Sequence, residues 1–260
     1  MNTFKKLLIK IFNMFTKIKL DYDTNLFQKL CETTDFENIV KGRQGAVIVD
    51  YKNELIPLVR TTTKYSKPVQ KFHDVHHNII EQIKKKSQLK NIYLNNALIE
   101  IYNSKYYKMG FHSDQALDLA DDSFIAIYSC YEKPLILKPS NSRKLIIKNK
   151  ITKELSKIVM DHNSVILFSL STNSKHLHKI ILENTNDDNR WLGITFRLSK
   201  TFLHYVNNNP FFYQTNNILK IANDEECKKF YKLRSEENKS SQFEYPEINY
   251  TISTSDIMRI

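Results

Sequence analysis

Between Ala97 and Leu198 the chain reads ALIEIY (97–102), SFIAIYSCY (123–131), PLILK (134–138), RKLIIKN (143–149), SVILFSL (164–170), LHKIIL (177–182) and WLGITFRL (191–198). Each run is short, rich in β-branched and aromatic residues, and bounded by polar or turn-forming text, the pattern of strands buried in a sheet. Seven or eight such strands over roughly a hundred residues predict a mainly β domain, a two-sheet jelly roll or barrel with a cavity between its sheets.

Upstream, AVIVDY and ELIPLV, a run of three threonines and Tyr65 read as strand and turn. Val69, Phe72, Ile79, Ile80 and Ile83 then return at helical spacing up to Lys84, Lys85 and Lys86, which predicts a supporting helix. His73, His76 and His77 lie on it. Without the glutamate of an HExxH motif they are expected on a solvated face. From Phe4 to Leu20 apolar residues at helical spacing alternate with Lys5, Lys6, Lys10 and Lys17, a basic amphipathic helix. Such a helix either packs on the domain, as amphipathic surface helices do, or lies on an anionic membrane surface. Downstream of Lys200, the text from Ile218 to about Leu233 is helical and precedes a polar tail containing Glu244, Tyr245 and Pro246. The expected organisation is an N-terminal helical extension (1–44), a β domain with its supporting helix (45–200), and a C-terminal helical extension and tail (201–260).

Composition narrows the function classes. A hydrophobic share of 41% and a charged share of 26% fit a soluble globular chain and exclude wholesale disorder or a multi-span membrane protein. No run reaches the roughly 20 apolar residues of a membrane span. Cys31, Cys130 and Cys227 form no CxxC pair, so neither a zinc knuckle nor a disulfide framework is indicated, and an intracellular, reducing location is expected. The net charge of +11 favours acidic partners, nucleic acid or a membrane surface, although the abundance of Lys, Asn and Ile with only 4 Gly also reflects an AT-rich coding bias. Neither a P-loop nor GxGxxG occurs, which argues against a nucleotide cofactor.

Chemistry concentrates at Gly110-Phe111-His112-Ser113-Asp114, where extended backbone puts His112 and Asp114 on one face. Two imidazoles and a carboxylate on one side of an ion are the ligands of facial-triad iron(II) oxygenases, so a second histidine is needed. Ser174-Lys175-His176-Leu177-His178-Lys179-Ile180 offers His176 and His178 on one strand face. A dicarboxylate co-substrate such as 2-oxoglutarate needs a cation able to grip its distal carboxylate, and Arg197 ends the apolar strand that begins at Trp191. Taken singly, each residue has a plain structural explanation: a turn hydrogen bond, an edge-strand histidine, a structural ion pair.

Taken in order, YxxxYYKMGFHSD, NSVILFSLSTNSKHLHKI and GITFRLSK resemble the AlkB-type branch of the 2-oxoglutarate/iron(II) dioxygenases over roughly residues 97–200. That resemblance implies a double-stranded β-helix core, cupin-like, flanked by helices. It implies a catalytic iron(II) centre of His112, Asp114 and His178, with 2-oxoglutarate as co-substrate bound by Arg197 and by Tyr102. His178, followed by Lys179 and Ile180, fits the family motif better than His176. The departures are Trp191, where the family often has a further Arg, with Arg190 one residue out of register, and Glu100, where an Asn is usual. The implied activity is hydroxylation or oxidative demethylation of a macromolecule, most naturally a modified nucleobase. A protein side-chain hydroxylase is the alternative. A third reading is a catalytically silent binding module presenting aromatics such as Tyr106, Tyr107, Phe211, Phe212 and Tyr213.

Overall fold

The computed structural model describes residues 14–89, 92–186 and 188–260. Its principal sheet has the order β1-β10-β7-β12-β6-β3-β2, with β5 added beside β3. These strands are β1 (Thr16–Lys19), β2 (Glu37–Val40), β3 (Arg43–Val49), β5 (Gln70–Lys71), β6 (Asn96–Tyr102), β7 (Phe124–Tyr131), β10 (Ser164–Ser169) and β12 (Trp191–Arg197). Along the path from β1 to β2 every pairing is antiparallel, while β5 joins β3 in parallel. A smaller antiparallel sheet, β11-β8-β9, comprises β8 (Lys144–Asn149), β9 (Leu155–Val159) and β11 (His176–Ile181). β4 (Ile56–Leu58), β13 (Thr201–Val206) and β14 (Asn209–Phe212) make a third sheet.

Strand alternation sorts side chains into two layers. Ala97, Ile99 and Ile101 of β6, with Leu192, Ile194 and Phe196 of β12, face helices α1 (Phe27–Glu32) and α2 (Asp74–Ser87), packing with Phe27, Leu30, Ile79 and Ile83. Their neighbours face the other way. Tyr102 and Trp191 meet Leu145, Ile147 and Ile180 of the small sheet in a second core. The central strands are therefore covered on both sides, which is why they read as nearly continuous apolar text rather than clean alternation. The architecture is the expected one, mainly β with flanking helices and a double-stranded β-helix core.

The extensions differ from their expectation. Thr16–Lys19 is not helical: it pairs antiparallel with β10 from Lys19 opposite Ser164 to Thr16 opposite Leu167, with Lys17 and Lys19 exposed and Ile18 tucked in. Residues 14–44 contribute two strands, one short helix and the start of β3, while residues 4–13 of the expected basic helix lie outside the described residues. At the supporting helix, Gln70–Lys71 is taken by β3 and α2 begins only at Asp74, where the backbone N–H of His73 donates to His76 Nδ1 at 2.9 Å. His73 and His77 are exposed as expected, whereas His76 is wholly buried. PLILK forms a 3-10 turn over Pro134–Ile136 instead of a strand. In the C-terminal part, Lys220–Ile221 (β15) pairs with Tyr250–Thr251 (β16), and the helix runs over Asp224–Lys239 (α4) rather than from Ile218. An Asn223–Glu226 capping box fixes that start, Asn223 Oδ1 accepting from the Glu226 amide at 2.9 Å and Glu226 accepting from the Asn223 amide at 3.0 Å. Among the described residues no helix is long and apolar enough to cross a membrane.

Candidate active site

The segment carrying His112 runs antiparallel to β11, exchanging both backbone hydrogen bonds with His178: His112 N–H to the His178 carbonyl at 3.0 Å and the reverse at 2.6 Å. Residues directly opposite in such a pair project to the same side, and the two imidazole centroids are 4.6 Å apart. Asp114, two residues on, joins them with its Oδ1 3.5 Å from His178 Nε2. One ligand atom from each of His112, Asp114 and His178 falls within 4.8 Å of the others.

The remaining atoms prepare these groups for a cation. The Nδ1–H of His112 donates to the Gly110 carbonyl at 3.0 Å, which leaves Nε2 with its lone pair toward the cluster. Enclosure of the ring, and then the neighbouring His178, push the His112 pKa down to about 3, so the imidazole is neutral at physiological pH. Burial pushes the Asp114 carboxyl up. The Arg197 guanidinium and the His178 hydrogen bond outweigh it and hold the group well below the usual carboxylate range. Its backbone is pinned by Asn173 of helix α3 (Leu170–Lys175): the Asp114 N–H donates to Asn173 Oδ1 and Asn173 Nδ2 donates to the Asp114 carbonyl, both at 2.7 Å. His176 is otherwise engaged. Its Nδ1 lies 2.9 Å from the Thr172 carbonyl, its Nε2 is 3.4 Å from Asn149 Nδ2, and its ring packs edge-on against Phe15.

Beside the cluster lies a cavity of about 210 Å³ between the sheets. Arg197 on its wall donates Nε to Asp114 Oδ2 at 2.6 Å, while its buried Nη1 has no partner among the described residues. A donor set of two imidazoles and a carboxylate fits iron(II), and an unsatisfied buried guanidinium nitrogen fits an anion beside it. Elsewhere on the cavity wall, Glu100 accepts from Arg43 Nε at 2.7 Å and from the Tyr102 hydroxyl at 2.6 Å. Trp191 stacks on Tyr102 with ring centroids 4.9 Å apart and lies across Gly193, where a Cβ would overlap the indole. Arg190 is paired with Glu132 through two hydrogen bonds, at 2.9 and 2.6 Å, and does not line the cavity.

Sequence reasoning missed the support supplied by α4. Glu237 Oε1 accepts the Ala116 N–H at 2.8 Å, Asn238 Oδ1 accepts the Ser113 N–H at 3.0 Å, and Arg234 donates to both the Ser113 carbonyl and Glu237. The loop that carries Asp114 is thus held from both sides, by α3 through Asn173 and by α4. No local signal in the text announces the three bonds from α4 to the Asp114 loop, because each joins residues 121 or 125 positions apart.

Residues 51–197, more than half of the chain, match the family model of the 2OG-Fe(II) oxygenase superfamily. Among solved structures, OsALKBH1 is similar with a TM-score of 0.45 and 13% identity over 72% of this chain and 97% of that one. A search of curated proteins found no match.

Proposed function

Because the chain belongs to the 2-oxoglutarate/iron(II) oxygenase superfamily and is a dioxygenase with those two cofactors, we propose that His112, Asp114 and His178 hold its iron and that Arg197 holds its co-substrate, with Tyr102 shaping the same cavity while its hydroxyl donates to Glu100. The observation that carries this reading is the convergence of three ligand atoms within 4.8 Å beside a cavity into which an unsatisfied arginine nitrogen is built. Iron(II) with 2-oxoglutarate and dioxygen would supply oxidative decarboxylation to succinate and carbon dioxide, one oxygen atom of the dioxygen entering succinate and the other hydroxylating a substrate C–H bond. The chain supplies position. Asn173 and Glu237 fix the backbone on either side of Asp114, Gly110 fixes the His112 tautomer, and Arg197 keeps the Asp114 carboxylate ionised. Ile127 and Ile180 supply an apolar part of the cavity wall.

Anaerobic addition of iron(II) and 2-oxoglutarate should give the visible absorption band of a metal-chelated 2-oxo acid, lost in His112→Ala and His178→Ala and weakened in Arg197→Ala. A folded wild type that takes up no iron would refute the site.

For the substrate we favour a modified, N-methylated nucleobase presented single-stranded or flipped from a duplex; the basic balance of the chain and the AlkB-like motifs support it. Methylated single-stranded oligonucleotides should stimulate succinate formation, and their binding should weaken steeply with salt. Stimulation by protein substrates alone, without salt-sensitive oligonucleotide binding, would favour a side-chain hydroxylase instead.

A further inference from the structure

The co-substrate is a dicarboxylate, so a cavity that binds it has two anionic ends to satisfy. Three arginines reach this cavity. Arg234 is committed to Glu237 and the Ser113 carbonyl, and Arg197 has its Nε on Asp114, beside the candidate metal ligands. Arg43 is the remaining one, and it stands elsewhere on the wall. It enters from β3, in register with Tyr102 of β6, which is in turn opposite Trp191 of β12. Glu100 sits opposite Gly193, four residues before Arg197 on β12, or roughly 13 Å along the strand.

Around Glu100 the chain has already built a seat for a carboxylate. Arg43 donates to Oε1 through Nε and Nη2, Tyr65 approaches the same oxygen at 3.4 Å, and the Tyr102 hydroxyl holds Oε2. Arg43 Nη2 also donates to Thr63 at 3.2 Å, which fixes the plane of the guanidinium, and the Arg43 head lies over the Tyr106 ring. Its Nη1 makes no hydrogen bond among the described residues. A guanidinium has five N–H groups in a rigid fork, so one edge can keep Glu100 while Nη1 receives a second carboxylate.

We infer that Arg43 anchors the distal carboxylate of 2-oxoglutarate, with Glu100 orienting the guanidinium while its own charge holds the affinity down. This rests on the co-substrate reading of the cavity given above. The chain has a tryptophan at 191, and the indole lies across Gly193; Arg43 instead supplies the distal cation, from the neighbouring strand pair. Glu100 is then a specificity element as well, because it leaves the seat neutral overall and lowers the gain from any anion that lacks the oxo-acid end.

The test is anaerobic titration of the iron(II)-loaded full chain with 2-oxoglutarate and, in parallel, with pyruvate, which has the same oxo-acid end and no distal carboxylate. The readout is the absorption band of the chelate. Arg43→Met alone would leave Glu100 buried and unpaired, so the variants are Glu100→Gln, which keeps shape and hydrogen bonding, and the Arg43→Met/Glu100→Gln pair, which leaves no stranded charge. Glu100→Gln should bind 2-oxoglutarate about tenfold more tightly than wild type, and the double variant about tenfold or more weakly than Glu100→Gln, the size of a charge-assisted hydrogen bond. Pyruvate should bind all three proteins alike. Equal 2-oxoglutarate affinity in the single and double variants overturns the assignment, as does parallel loss of both oxo acids, which would mark a disordered cavity. A wild type that gives no band with either acid refutes the site itself, a result distinguishable from a band whose strength ignores Arg43.

Discussion

Replacing Glu237 by Ala tests whether α4 is part of the active site or a helix that happens to pack there. The carboxylate is 5% exposed and has three partners: the Ala116 N–H at 2.8 Å, the Tyr245 hydroxyl at 2.7 Å, and Arg234. Truncation strands Arg234, itself only 8% exposed, together with one backbone donor and one phenol. Breaking a buried pair by removing one member costs about 3–5 kcal/mol, so the urea midpoint of the metal-free protein should fall by that equivalent. Glu237→Gln keeps an acceptor and should lose about 1–3 kcal/mol. Arg234→Met/Glu237→Ala, with no stranded charge, should recover part of the loss relative to Glu237→Ala. Because Ala116 and Ser113 flank Asp114, loosening their tethers should also weaken iron(II) binding, by about 10–100-fold if they act as outer-shell supports do. The decisive result is the combination. Loss of stability with unchanged metal affinity would show that α4 only packs, and an unchanged urea midpoint would refute the energetic argument altogether.

Three further outcomes follow from the same geometry. His178→Ala should abolish metal binding while His176→Ala, whose ring is engaged by Thr172, Asn149 and Phe15, should retain it; isothermal titration with manganese(II) separates them, and the reverse order would move the third ligand to His176. Gly193→Ala drives a methyl into the Trp191 indole and should cost about 1–3 kcal/mol by overpacking, read as a lower urea midpoint; a neutral effect would mean that the indole is free to move aside. Asp256 is buried beneath Asp118, Arg60 and Thr251, and burial pushes its pKa up to about 7. The folded protein therefore holds a proton that the unfolded chain releases near pH 4, so Asp256 lowers stability progressively as pH rises from about 4 to 7. Asp256→Asn should match wild type near pH 4 and exceed it above pH 7 by up to about 4 kcal/mol, and urea midpoints that stay parallel across that range would contradict the assignment.

The strands of the core were legible because burial on both faces leaves unbroken apolar text, and His112 and Asp114 because alternation on extended backbone needs only local spacing. From spacing alone His178 was one of two candidates, and it was the family motif that favoured it; its cross-strand register with His112 depends on how the two segments meet, which no local spacing gives. The helix boundaries failed for a related reason: Gln70–Lys71 and Lys220–Ile221 have acceptable helical spacing, yet strands β3 and β16 claim their backbone groups. Thr16–Lys19 reads equally well as an end of helix or as an alternating strand over four residues, and pairing with β10 decides it. Arg43 and Glu237 carried no signal at all, since an isolated basic or acidic residue acquires meaning only from its partner, 57 residues away in one case and 121 in the other.

Net charge and local charge also separate in this protein, and the separation bears on what the cavity can accept. The surplus of 11 positive charges over the whole chain suggests an electropositive site. Yet each arginine that reaches the cavity is matched by a carboxylate: Arg43 by Glu100, Arg197 by Asp114 and Arg234 by Glu237. Those three pairs cancel, and His112 is uncharged. A divalent cation alone, or a dianion alone, would leave two uncompensated charges in a space of low dielectric, whereas the two together restore neutrality. The cavity is therefore matched to a cation and a dicarboxylate as a unit. Among the described residues, none of the lysines that set the overall charge lines it, so under the nucleobase reading proposed above they would draw in a polyanion without competing for the co-substrate.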